Sequence, residues 1–244
     1  MPIREKRIYS GDMLEVEIYE ISNKERAKSR RRKIRESSLA QKNLNEKNRK
    51  KHLARLLNTN FTDNDIHLTL TYSQANLPDT KIRAERDIRN FLRRIRRYRK
   101  KQQLTELKYI AVIEWKGADG RANRVHHHIV MNGDMPRDEV EKIWKAGRCN
   151  SSRLQADHEG FAGLARYLTK ERKSGKRWMQ SRNLQQPRVA INDWKYSRAK
   201  FYRMVPEDIA KQFQEYRISK FEKTCNEITG ENGISALFRR KAEP

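Results

Sequence analysis

The chain has 244 residues, with 56 Lys and Arg against 31 Asp and Glu, a formal net charge of +25. No stretch approaches the ~20 apolar residues that a membrane helix needs. The opening MPIREKRIYSGDM lacks a signal peptide's apolar core, which points to the cytoplasm and to no membrane partner. Two cysteines, Cys149 and Cys225, cannot build a disulfide framework. Self-repulsion of this size is usually relieved by a polyanion, and nucleic acid is the usual one.

In chain order, RIYSGDMLEVEIYEI alternates Leu14, Val16 and Ile18 with charged neighbours behind a Ser-Gly-Asp turn, which predicts a small hairpin. Residues 24–55 hold fourteen basic and three acidic residues, no Gly and no Pro. They predict a long, solvated basic helix, whose first half fits equally well a segment that orders only on nucleic acid. FTDNDIHLTLTYSQA sets Ile66, Leu68, Leu70 and Tyr72 on one face and His67, Thr69 and Thr71 on the other, the alternation of a strand. A helix follows, with Ile88, Phe91, Leu92, Ile95 and Tyr98 as its apolar stripe and Asp79-Thr80 as its cap. LKYIAVIEWKGADGRANRVHHHIVMNG predicts two strands around a glycine turn. MPRDEVEKIW predicts a short helix, SSRLQA a strand, and GFAGLARYLTKER a helix buried through Phe161, Leu164, Ala165 and Leu168. The basic tail ends in a helix expected around PEDIAKQFQEYRI. The order β, α, β, β, α, β, α implies an α+β fold, a central antiparallel sheet with helices packed on it. A long basic N-terminal helix and a basic C-terminal extension flank it.

The chemistry concentrates in RVHHHIVM. In a strand, residues i and i+2 face the same way, so His126 and His128 share a face about 7 Å apart. Two imidazoles so placed can bind one divalent metal, given a further ligand. If the hairpin centres on Gly120, Glu114 stands opposite His126 and projects to its face; a one-residue slip turns it away. Nitrogen plus carboxylate ligands suit Mg²⁺ or Mn²⁺ on a phosphate oxygen. The same histidines also fit as polar residues beside a bound phosphate. Further on, Tyr167 and Lys170 are neighbours at i and i+3 of a helix. A cation or metal beside the phenol would favour the phenolate. The blander reading is a core-edge tyrosine with a surface lysine.

A T-L-T-Y strand, an H-x-H strand and a later Y-x-x-K helix, in this order in one basic chain, resemble the HUH endonuclease superfamily. The likeness is to the single-tyrosine rolling-circle replication initiators of phages and plasmids of Gram-positive bacteria. It covers about residues 60–172, and the middle position, usually apolar, is here His127. The resemblance implies His126, His128 and Glu114 as metal ligands, Tyr167 as nucleophile and Lys170 as its helper. It implies metal-assisted nicking and joining of single-stranded DNA or an extruded origin hairpin, through a 5′-phosphotyrosyl link. A host polymerase would extend the freed 3′-hydroxyl. The sequence shows no G-x-x-x-x-G-K-[ST], so a host helicase would separate the strands. The expected division is a hairpin and basic arm over 1–58, a nuclease domain over 59–172 and a basic extension over 173–244. Arg93, Arg94, Arg96 and Arg97, with Arg30, Arg31, Arg32 and Lys33, are the candidate DNA contacts. A relaxase or single-strand transposase would share this chemistry, and a non-catalytic nucleic-acid-binding protein would share the charge.

Overall fold

The computed structural model describes residues 2–21, 38–115, 125–170, 178–225 and 230–241. They fall into two compact units. Each is built on a five-stranded antiparallel sheet, and six α-helices occur among the described residues. None of these helices is long and apolar enough to cross a membrane.

The first unit comprises Met1–Thr59, Asp157–Gly163 and Gln186–Pro244. The expected hairpin is present as β1 (Ile3–Ser10) and β2 (Met13–Glu20). Gly11 takes φ +56° in its turn, and a Cβ there would lie 2.1 Å from the Asn58 carbonyl oxygen, so only glycine fits. Leu14, Val16 and Ile18 point into a core with Phe201, Met204, Ile209 and Phe238. On the opposite face, Glu15 and Glu17 receive Lys51 and Arg55 from α1 (Leu39–Asn60). This helix is the second half of the basic segment; the first half, with Arg30, Arg31, Arg32 and Lys33, lies outside the described residues.

The other strands of this sheet come from the far end of the chain. In sequence order they are β8 (Arg188–Asn192), β9 (Tyr216–Cys225) and β10 (Asn232–Arg240), and the sheet runs β8-β1-β2-β10-β9. The helix expected through PEDIAKQFQEYRI is shorter than the sequence suggests. The helix here stops at Ala210, and Tyr216 already belongs to β9. Beyond Ala210 the Phe213 amide donates to the Ala210 carbonyl and the Tyr216 amide to the Phe213 carbonyl, turns that lead the chain into β9, which carries a bulge. Ile218 pairs with Phe238 and Lys220 with Leu237, leaving Ser219 over.

The second unit comprises Asn60–Ala156 and Leu164–Gln185. Its strands are β3 (Ile66–Thr71), β4 (Tyr109–Glu114), β5 (His126–Met131), β6 (Cys149–Arg153) and β7 (Met179–Gln180), in the order β6-β3-β5-β4-β7. The helices are α2 (Lys81–Lys101), α3 (Arg137–Ile143) and α4 (Ala162–Leu168). Thr80 caps α2 by accepting from the Arg83 amide. Ile88, Phe91, Leu92 and Ile95 bury the stripe of α2 with Leu68, Leu70, Ile113 and Ile129 of the sheet. That leaves the opposite sheet face for the polar side chains. Between β3 and β6 the expected order β, α, β, β, α, β appears in full, and α4 completes it.

Candidate active site

Strand pairing decides which side chains meet. Glu114 of β4 stands opposite His126 of β5, and Val112 opposite His128, the register expected from a turn centred on Gly120. On the other side of β5, Thr69 of β3 pairs with His128 and His67 with Val130. Directly paired residues share a face. Three strands thus set His67, Thr69, Glu114, His126 and His128 on one side of the sheet. Gly120 itself lies outside the described residues.

The donor atoms converge. Glu114 Oε2 lies 3.0 Å from His126 Nε2 and 3.3 Å from His128 Nε2. One donor atom from each of the three residues lies within 4.8 Å of the others, an arrangement that can hold a metal ion. Two imidazole nitrogens and a carboxylate are a suitable donor set for a divalent cation. Protonation favours this too. Burial, then the neighbouring His67 and His126, push the His128 imidazole down to about 4, so its lone pair is free near neutral pH. Burial alone would raise the Glu114 carboxyl. The Lys170 ammonium and His126 outweigh burial and hold it below the usual carboxylate range.

The last turn of α4 brings in the other two groups. Ala165 and Leu168 bury one side of the helix, while Tyr167 remains 44% exposed. Its hydroxyl lies 3.5 Å from His128 Nε2. The chain turns just beyond the helix, with the Lys170 amide donating to the Tyr167 carbonyl. Lys170 Nζ thereby reaches Glu114 Oε1 at 2.9 Å and stands 4.9 Å from the centre of the Tyr167 ring. The structure thus brings together all five residues Glu114, His126, His128, Tyr167 and Lys170.

His127 faces the other way. Its Nε2 is 2.8 Å from the Tyr72 hydroxyl inside the core, so it cannot join the cluster. Burial, then His126 and His128, push this imidazole down to about 3 and keep it neutral. The arginines of α2 lie apart as well, because α2 covers the core face. Arg93 and Arg97 are exposed, Arg96 sits over the Tyr109 ring at 5.6 Å, and Arg94 is half-buried.

Sequence reasoning overlooked His67. Its ring stacks on His128 with centroids 5.4 Å apart and planes 14° from parallel, and it meets the edge of Tyr167 at 6.4 Å. Thr69 Oγ1 lies 3.5 Å from Nδ1 of the same His128. The one signal was strand parity: His67, Thr69 and Thr71 alternate away from the core, and that face becomes the site face once β3 pairs with β5.

No curated protein and no solved structure matches the chain. A family model does match residues 65–172, the stretch that holds His67, Glu114, His126, His128, Tyr167 and Lys170. The family is that of the replication-associated protein ORF2/G2P, and it is to this family that the site-bearing part of the chain is similar.

Proposed function

We propose that this protein is a Rep-type replication initiator that nicks and joins single-stranded DNA at a rolling-circle origin. The observation that carries this reading is the convergence of Tyr167 and Lys170 on a Glu-His-His donor set, inside the stretch similar to replication-associated proteins. Glu114, His126 and His128 would hold one Mg²⁺ or Mn²⁺. The ion, when bound, supplies positive charge that neutralises a phosphate oxygen as the transition state forms.

The remaining work falls to the side chains. Tyr167 is exposed enough for a DNA strand to reach its hydroxyl, and its ring is fixed between His67, His128 and Lys170. The phenolic oxygen attacks phosphorus as the bond to the 3′ oxygen breaks. The phenol gives up its proton, the leaving 3′ oxygen takes one up, and the 5′ phosphate remains on tyrosine. Lys170 has three donors, so one ammonium can hold Glu114 Oε1 while another N–H faces the phenolate or phosphate. Attack by a new 3′-hydroxyl reverses the reaction and rejoins DNA without ATP. The freed 3′-hydroxyl suits a host polymerase, and a host helicase would open the duplex ahead of it.

A replicon test separates an initiator from a relaxase or transposase with the same chemistry. The gene is supplied in trans to a plasmid that carries its surrounding non-coding DNA and no other origin. Wild type should maintain the plasmid and Tyr167→Phe should lose it. Nicking in vitro without support of replication would reassign the chain to one of the other two roles.

A further inference from the structure

Beside its apolar stripe, α2 carries a second run at helical spacing. Arg83, Asp87, Asn90 and Arg94 recur at intervals of four, three and four, so they share one face. That face lines a cavity of about 190 Å³, closed on the other side by Asn76 and by Trp144 to Ala146, which follow α3. Trp144 is buried, and its indole N–H already donates to the Thr71 carbonyl at 2.8 Å, so it offers ring carbon as a wall. The polar lining is cationic. Within the lining Arg83, Arg94 and Lys145 face one carboxylate, Asp87, which also lies 3.5 Å from the Tyr72 hydroxyl; Arg83 is in addition 3.8 Å from the exposed Asp79, just ahead of the helix.

Arg94 supplies the sharper clue. Its Nε is buried and has no hydrogen-bond partner. A buried guanidinium N–H left without a partner is destabilising, more so than a neutral one. Arg94 also lines the cavity, where the rest of its guanidinium fork suits the oxygens of a phosphate. The cavity's 190 Å³ falls below the roughly 300 Å³ at which pockets begin to enclose whole drug-sized ligands. It suits a phosphate group with its sugar or base left outside.

We propose that this cavity is a phosphate-binding subsite, built by Arg83, Arg94 and Lys145 with the Asn76 and Asn90 amides as neutral donors. It shares no residue with the Glu114, His126 and His128 cluster. The phosphate would belong either to a DNA backbone or to a free phosphate compound.

Two arms tell these apart, using the full chain in EDTA so that no DNA is cut. Calorimetry measures binding of inorganic phosphate and of thymidine 5′-monophosphate. Fluorescence anisotropy measures a single-stranded oligonucleotide across a salt series. The proteins are wild type, Arg94→Gln, Lys145→Gln, and Arg89→Gln as a control on the same helix outside the cavity. A backbone site predicts that Arg94→Gln weakens DNA about tenfold and flattens the slope of log K against log salt by about 0.7. Arg89→Gln should do clearly less. A free-phosphate site predicts loss of the calorimetric signal in Arg94→Gln with DNA binding intact. Should Arg94→Gln fail to fold, Lys145→Gln, at an exposed position, carries the comparison. If the cavity variants match the control in both arms, the subsite does not exist. If wild type binds no DNA at all, the replication reading fails, while the calorimetric arm still decides the cavity.

Discussion

Glu114 divides its two oxygens between two jobs: Oε2 faces His126 and His128, and Oε1 takes Lys170. The substitution Glu114→Gln keeps the shape and removes the charge that draws both a metal and the ammonium. Mn²⁺ binding by calorimetry should weaken by tenfold or more (on the order of the losses seen when metal-site residues change). Unchanged Mn²⁺ affinity would remove Glu114 from the ligand set. His67 acts through its neighbour, since its ring lies flat on His128. The substitution His67→Ala should weaken Mn²⁺ about tenfold by freeing that ring, and His67→Phe, which keeps a flat ring, should restore most of the loss. Equal loss in both would mean that the imidazole nitrogen matters and not the stacking. Of these residues, Glu114, His126 and His128 were legible because strand parity and one turn position fix them. His67 was not, because its place depends on how β3 pairs with β5, which lies 59 residues further along in the Thr69–His128 pair. No local pattern records a pairing between distant strands.

At the scale of elements, the clearest dependence on pH lies between α1 and β2. Burial pushes the Glu17 carboxyl up, but Lys51, then Arg55 and Lys6, outweigh it and bring it down to about 2. A carboxylate held below its unfolded value of 4.5 stabilises the fold above that pH. The contribution is lost as pH falls from 4.5 toward about 2. Melting temperatures of wild type and Glu17→Gln should differ at pH 7 and converge near pH 2. A constant gap across this range would show that the charge pairing contributes nothing. Helices and strands with clean periodicity were legible, as in α2 with its stripe from Ile88 to Ile95 and its Thr80 cap. The strand β9 was not, because the bulge at Ser219 breaks the alternation by which strands are read.

Across the whole molecule, the +25 charge and the cluster point to the same partner. The antiparallel sheet under helices was expected. The second sheet was not, because it joins the first hairpin to the last. The pairing of β2 with β10 sets Val16 against Ala236, residues 220 positions apart. Either edge of an amphipathic hairpin can accept a neighbour, so composition does not choose between them.

The most direct test of the central claim is formation of a covalent DNA adduct. Purified protein is mixed with single-stranded DNA carrying its own origin hairpin, with Mn²⁺ or with EDTA, beside Tyr167→Phe. The expected result is a denaturation-resistant adduct on the 5′ phosphate that needs Mn²⁺ and disappears with Tyr167→Phe. Tight, salt-sensitive binding without any adduct, on that DNA and on pooled random strands, would contradict it. The chain would then be a nucleic-acid-binding protein in which Glu114, His126 and His128 serve the fold.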